Sequence, residues 1–442
     1  MKKLFLGMCI LLMTLMVHGG VTAVPETPDA PTAGQYPSWT DPVAITTNGN
    51  SPNGAGFPVV TAAPNSGKIM VGFSRLNSSN EDDTDPYYVT STNNGASWTT
   101  PAAIFSSSNR SAELDLEYDG QDIAHAVWTE KNLEVHYTNQ NGWGTSKKLS
   151  TSSVEVSRPR IATSQGQSGN AIIDIVWSEW RGSLNKFGIF HTRSTNGGGS
   201  FTIASTVFAS DDLTARPALA VDGNTLHVVW EEGIVIPGIS GAEIYYAQGT
   251  VSGGSVSWSA PALISIRSLP NPEDNAKQPQ IMYDGHDVHV SYTNRIQRDE
   301  QNVHHLSCAA NCTTATNWVS QNNPVSGVYL GVSETFPFDV TSTLASLNGC
   351  TMAYYHGIQT KNKNDPEQIL GTNSCSGWAA AVRDDVTDFT KRSANPNIIT
   401  FRNWFLFLVY EEKAVDASAT DPAQVQFVRN KPGLYLPTIL RN

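Results

Sequence analysis

The chain has 442 residues, 39% of them apolar and 15% charged, and carries a formal net charge of −12 at neutral pH. That balance excludes a phosphate-backbone partner such as nucleic acid, which needs a basic face. The net charge gives no pull toward acidic polysaccharides, although a local basic site can act against the overall field.

The chain opens on a short basic start, Met1-Lys2-Lys3, an apolar run over residues 4–17, and the small-residue step Val21-Thr22-Ala23. This is the pattern of a secretory signal peptide, so residues 1–23 are expected to be cleaved. The apolar run is too short to span a bilayer comfortably, and no later stretch is long and apolar enough to do so. No Cys stands at the cleavage step to take a lipid. The reading is a secreted, extracellular chain with no membrane span. Residues 24–37 are rich in Pro and Thr and read as a flexible lead-in.

From there the chain repeats itself. Ser38-Trp39-Thr40-Asp41-Pro42-Val43-Ala44-Ile45 returns as Ser97-Trp98-Thr99-Thr100-Pro101-Ala102-Ala103-Ile104 and as Ser257-Trp258-Ser259-Ala260-Pro261-Ala262-Leu263-Ile264. The later copies close longer units of one plan. A unit opens on an X-Pro step and a short apolar run, as in Phe57-Pro58-Val59-Val60 and Arg216-Pro217-Ala218-Leu219. An Asp-Gly turn often follows, at Asp119-Gly120, Asp222-Gly223 and Asp284-Gly285. A second strand then ends on an aromatic residue: Val127-Trp128, Val176-Trp177, Val229-Trp230, Ser291-Tyr292, Val409-Tyr410. A polar loop, a third strand, the Trp-bearing turn and a fourth strand complete the unit. Period-2 alternation with turn residues at short intervals reads as antiparallel strands. Four strands per unit, recurring in order, is the pattern of propeller blades.

Openings fall at Pro58, Leu114 in the Pro slot, Pro159, Pro217, Pro279, Pro337 and Pro396. The last unit supplies three strands, and the early copy around Trp39 supplies its fourth. The chain is therefore predicted to be all-β: a seven-bladed β-propeller over residues 38–432, closed by its N-terminal strand, with six blades as the alternative. Closure removes the exposed sheet edges that invite aggregation. Cys9 leaves with the signal peptide, so Cys308, Cys312, Cys350 and Cys375 remain. In an exported chain they read as disulfides. The blade plan pairs Cys308 with Cys312 and Cys350 with Cys375, the longer loop contributing about 3 kcal/mol. Residues 433–442 form an apolar tail, either a sorting signal or a strand packed on the propeller.

Two turns carry a family resemblance. Ser91-Thr92-Asn93-Asn94-Gly95-Ala96-Ser97-Trp98 resembles the Asp-box, Ser-x-Asp-x-Gly-x-x-Trp, of the sialidase (bacterial neuraminidase repeat) superfamily, with Asn for Asp. Ser194-Thr195-Asn196-Gly197-Gly198-Gly199-Ser200-Phe201 is a second copy ending on Phe. The box is a turn device on the face opposite the usual active site. The resemblance implies a glycan-acting propeller whose arginine triad grips a carboxylate. Gly56 stands in the first arginine slot, which is a departure. Arg75 matches the second position, and the acidic run over residues 81–85 sits where the acid/base Asp belongs, with Asp82 or Asp83 nearest. Family members carry six blades, against the seven counted here.

A propeller binds ligands where its first strands converge, so side chains there are candidates. The residues before each opening are Glu113, Arg158, Arg216, Gln278 and Asn395, and the second strands end at Arg75, Glu130, Glu179, Arg181, Glu232, Arg295, His356 and Glu412. Arg158 and Arg216, with Arg75 or Arg295, can clamp a sugar carboxylate, beside Glu179, Glu232 and His356. Asp82 or Asp83 is the candidate acid/base. Tyr410, followed by Glu411-Glu412, is the candidate nucleophile, as in the tyrosine exception to two-carboxylate glycosidases. The run over residues 81–85 could instead hold Ca²⁺, and no other cofactor is expected. Three functions remain open: a sialidase-like hydrolase acting on a terminal acidic sugar, a non-catalytic glycan- or protein-binding propeller, and a polysaccharide lyase built on His125 and His136. A monomer is expected.

Overall fold

The computed structural model describes residues 37–431, except 47–54, 78–82, 152–154, 167–168, 183–185, 237–238, 266–274, 298–299, 321–323, 327–329, 331–339, 359–364, 379–383, 388–389, 415 and 418–422. The expected signal peptide, most of the lead-in, the apolar tail, Pro337 and Asp82 lie outside the described residues.

Seven antiparallel sheets follow one another along the chain. Blade one comprises Ala55–Ala62, Ile69–Leu76, Thr84–Ser91 and Ala102–Ala103. Blades two to six repeat the order, opening at Ser111–Tyr118, Val156–Gln165, Thr214–Asp222, Asn275–Tyr283 and Ser342–Leu347. Blade seven is built of Lys391–Phe401, Phe405–Ala414 and Gln424–Lys431. Its outer edge is completed by the chain's first strands: Ser38 pairs with Lys431 and Trp39 with Asn430, and Val43 pairs with Phe427. The ring is a seven-bladed propeller closed by its N-terminal strand, and no α-helix occurs among the described residues.

Six of the seven opening strands carry the same irregularity, Ser342–Leu347 pairing without a slip. The ladder slips between Gly56 and Val59, Ala112 and Asp115, Ser157 and Arg160, Ala215 and Ala218, Lys277 and Gln280, and Ala394 and Asn397. At each slip one residue takes positive φ: Phe57, Glu113, Arg158, Arg216, Gln278 and Asn395, between 50° and 56°. None is glycine, so each is strained and must be held by its surroundings. In five of the six a Pro follows, which has no N–H to offer the ladder and suits a bulge. In these six blades the bulge turns one side chain toward the face where the second-to-third-strand loops rise, hereafter the mouth.

The opposite face holds the Ser-Asn-Gly turns. Ser91 Oγ accepts from Gly95 N at 2.9 Å, and Asn93 Oδ1 accepts from Ser97 N at 2.9 Å. Ser194, Asn196, Gly198 and Ser200 repeat these bonds at the same lengths. Both central glycines have positive φ, and a Cβ on Gly198 would meet Tyr137 Oη at 1.8 Å. The aromatic closing each turn packs on the preceding blade: Trp98 on Phe427 of blade seven, Phe201 on Tyr137 of blade two. Trp258 lies edge-on to His191, and Trp318 to Tyr246. Disulfides join Cys308 to Cys312 and Cys350 to Cys375.

Candidate functional site

The ends of the second strands explain themselves first. Trp128 Nε1 donates to Glu130 Oε2 at 3.3 Å, Trp177 Nε1 to Glu179 Oε2 at 2.6 Å, and Trp230 Nε1 to Glu232 Oε2 at 3.2 Å. Residues i and i+2 of a strand share a face, so the Trp-x-Glu spacing makes this bond in every copy. The second oxygen of Glu179 accepts from Thr151 Oγ1 at 3.0 Å and Arg181 Nε at 3.2 Å. Glu232 also accepts from Ser210 Oγ, and burial raises its carboxyl above the usual range. Both carboxylates, expected to touch substrate, are buried and engaged inside their own blades.

The residue between behaves differently. Alternation aims Glu231 and Glu411 at the other side of their strands. Glu231 accepts both 2.8 Å bonds from Arg216 Nη1 and a 3.4 Å bond from Gln278 N of the next blade. Glu411 accepts from Phe57 N at 2.5 Å and Asn395 Nδ2 at 2.9 Å, and burial raises its pKa. These carboxylates, passed over in the sequence in favour of Glu232 and Glu412, hold the strained mouth residues in place. The signal was present as the doubled Glu after Trp230 and Tyr410.

Arg158 and Arg216 do meet. Both line one mouth-face cleft of about 250 Å³ between blades three and four, with Glu113, Glu155, Val156, Ser157, Ser178, Phe187, Leu213 and Ala215. Glu113 Oε2 accepts from Arg158 N at 2.6 Å, and its Oε1 lies 3.3 Å from Arg158 Nε. The two guanidinium side chains remain 28% and 30% exposed. Each is therefore anchored by its own glutamate and still faces the cleft. Partial desolvation lowers the Arg158 pKa to about 10, with Glu113 opposing and the Arg160 and Arg216 charges adding to the fall. It stays charged at neutral pH.

The other candidates lie elsewhere. The Arg75 guanidinium carbon sits 4.9 Å from the centre of the Tyr87 ring on blade one. Arg295 stands opposite Asn275 and Gln301 on blade five. Neither lines the cleft, so the arginine pair gains no third member from them. Asp83 Oδ1 lies 3.4 Å from Asn77 Nδ2 at the edge of blade one. Asp85 is buried, accepts from Asn77 Nδ2 at 2.6 Å and Ser107 N at 3.0 Å, and is raised by burial. Tyr410 is fully buried in an apolar layer with Tyr354, Leu406 and Leu408, and Glu412 accepts from Gln426 Nε2 at 2.7 Å and Lys391 Nζ at 2.5 Å. The expected nucleophile thus sits in core packing. His356 is buried, its Nδ1 3.0 Å from Thr341 Oγ1.

His125 and His136 belong to separate networks. His125 is buried between Tyr137 Oη at 2.7 Å and Asp119 at 3.2 Å, whereas His136 lies 2.8 Å from both Ser146 and Glu134. Among the described residues, no three His, Cys, Asp or Glu side chains are arranged to hold a metal ion. Along the inner strand of blade two, Asp115 and Glu117 share a face. Burial raises both, and the Asp115 charge helps push Glu117 to about 8.

In structure the chain is similar to a protein of unknown function from Dyadobacter fermentans DSM 18053, with 14% identity and a TM-score of 0.51 over 89% of this chain and 100% of that one. It is also similar to the alpha-L-arabinofuranosidase Arb93A from Fusarium graminearum in complex with an iminosugar inhibitor, at 11% identity and a TM-score of 0.49 over 72% and 92%. A third likeness is to the NanB sialidase from Streptococcus pneumoniae, at 10% identity and 0.47 over 88% and 70%. At these identities the likeness is one of fold. No family model matches the chain, and no curated protein matches it.

Proposed function

We propose that this propeller engages glycans through the mouth-face cleft between blades three and four, and that the ligand carries a carboxylate. One observation carries the reading: two guanidinium groups from adjacent blades line the same cleft, each fixed from behind by its own glutamate. A guanidinium offers paired donors that match a carboxylate. Glu113 and Glu231 neutralise the buried part of the charge and preorganise the forks, so little side-chain entropy is lost on binding. The turns at Ser91 and Ser194 support the sialidase-like reading of the chain, although they sit away from the cleft. Secretion, suggested by the first residues, would place it among extracellular glycans.

A second reading, hydrolysis, is favoured by one feature. Glu113 and Glu155 line the cleft together, and two carboxylates flanking one bond are the usual requirement for glycoside cleavage. The burial of Tyr410 in core packing gives the sialidase-type nucleophile no support.

The test is titration calorimetry against a sialoside, a uronide and a neutral glycoside, paired with release of a fluorescent aglycone from the same sugars. Arg158→Gln and Arg216→Gln are each expected to weaken acidic-sugar binding about tenfold or more, as loss of a charge-assisted pair does. Turnover abolished by Glu113→Gln or Glu155→Gln would establish the hydrolase. An intact affinity in both arginine variants would sink the carboxylate reading.

A further inference from the structure

We infer that Phe187 and Leu213 form an apolar clamp that selects the ring form of an acidic sugar, with Gly233 holding one jaw in place. This deepens the proposed function and rests on the Arg158–Arg216 reading.

The cleft lining is of two kinds. Arg158, Arg216 and Glu113 supply charge, while Phe187 and Leu213 supply carbon. Leu213 is 50% exposed, one of few large apolar side chains so open among the described residues. An exposed apolar residue alone means little. Here it lines the same 250 Å³ as a flat aromatic ring and two cations. Apolar lining with a few convergent polar groups is how small-molecule sites combine affinity with orientation.

Both jaws are built rather than incidental. Phe187 and Trp180 are register partners across the hairpin of blade three. Their rings lie edge to face with centres 4.8 Å apart, which fixes the Phe187 ring plane. Leu213 precedes the opening strand of blade four. Its carbonyl accepts from Gly233 N at 2.7 Å. A Cβ on Gly233 would lie 3.2 Å from Leu213 Cβ and 3.3 Å from its backbone N and O, tighter than ordinary packing. A larger residue there would push the Leu213 backbone away by a few tenths of an ångström. Gly233 is thus a positioning residue.

A pyranose acid fits this division. It presents a carboxylate on its edge and a continuous C–H face across its ring. The arginines take the edge and the clamp takes the face. A small inorganic anion would leave the clamp unused. An open-chain sugar acid has the carboxylate and hydroxyls but no rigid face to bury, and must also be immobilised.

The experiment compares methyl glucuronide and a methyl sialoside with gluconate, an open-chain sugar acid, by calorimetry on the full chain. Wild-type protein is expected to prefer at least one cyclic acid over gluconate by about tenfold, the gain from burying roughly two carbons' worth of apolar surface. Phe187→Leu keeps bulk and removes the flat face, and Leu213→Ser removes the other jaw. Each should bring cyclic and open-chain affinities within about threefold of one another. Gly233→Ala should move the same ratio while leaving Phe187 intact. Arg158→Gln should weaken all acids together. A ratio unchanged in both jaw variants, with Arg158→Gln still weakening binding, overturns the clamp and leaves the carboxylate reading standing. No binding of any acid by wild-type protein overturns both.

Discussion

At the scale of single residues, the protein's charges fall into those that serve the blades and those that reach the mouth, and one position along a strand separates them. Glu232 and Glu412 lie on the face that their Trp or Tyr already occupies; Glu231 and Glu411 lie on the face that meets the next opening strand. The alternation rule was available from the sequence, but which face meets the mouth depends on the direction in which blades stack. Burial also separates the titrating groups. His227, with Nδ1 2.7 Å from Tyr246 Oη, is lowered from 6.5 to about 4 by desolvation, against a weaker opposite pull from Asp222. His304 falls to about 4 and His305 to about 3 for the same first cause. A depressed histidine resists charging in the fold but charges freely when unfolded. Stability is therefore intact above about pH 6.5 and is lost as pH falls toward 4. Glu117 acts with the opposite sign. Raised from 4.5 to about 8, it contributes fully below pH 4.5 and loses that contribution as pH climbs to 8. Melting temperatures between pH 4 and 8 should therefore show a shallow maximum. His227→Gln should flatten the acid limb and Glu117→Gln the alkaline one. Unchanged limbs in both variants would contradict these burials.

At the scale of elements, the unit plan was legible because its punctuation is local. X-Pro steps, Asp-Gly turns and period-2 runs each dictate their own backbone, so blades and disulfide pairs could be laid out from the sequence. The cleft was half legible for the same reason. Arg158 and Arg216 precede prolines and could be placed at the mouth. Phe187 and Leu213 could not, because Phe187 lies at the start of a third strand just after a polar loop and Leu213 lies in the connection before an opening strand, where the unit plan is not periodic. The Ser-Asn-Gly turns are strict at one point. Tyr137 Oη occupies the space that a Cβ on Gly198 would need, and φ there is +82°. Gly198→Ala must either displace the Tyr137 hydroxyl from His125 or distort the turn. It is expected to cost about 1–3 kcal/mol in urea unfolding, as overpacking with φ strain does. Gly197→Ala, one residue earlier and facing open space, pays only for its φ of +66° and should cost about 1 kcal/mol. Equal costs would contradict the role of Tyr137.

At the scale of the whole molecule, those turn aromatics form a closed series. Trp98 packs on Phe427, Trp143 on Tyr88, Phe201 on Tyr137, Trp258 on His191, Trp318 on Tyr246 and Trp378 on His305. Each staples its blade to the one before. The seventh staple is Trp39, edge-on to Tyr354 at 5.5 Å, and it comes from the chain's first described strand while its blade comes from the last. The ring is thus closed twice at one place, by the ladder from Ser38 and Trp39 to Lys431 and Asn430 and by the Trp39 ring on blade six. Trp98 on Phe427 joins blade one to blade seven, whereas the other staples join blades that are consecutive in the chain. Trp39 anchors the outermost part of the N-terminal strand, which with Val43 and Ala44 covers the edge of Gln424–Lys431, so its loss should loosen that edge as well as remove packing. Trp39→Ala and Trp143→Ala remove the same ring from half-buried sites, each expected to cost roughly 2–4 kcal/mol. They should differ in kind. Hydrogen exchange in Trp39→Ala should rise first in Gln424–Lys431 and Phe405–Ala414, by local opening below the global transition. Trp143→Ala should leave that edge protected. Equal protection of the Gln424–Lys431 amides in the two variants would mean that the N-terminal strand decorates the ring without latching it.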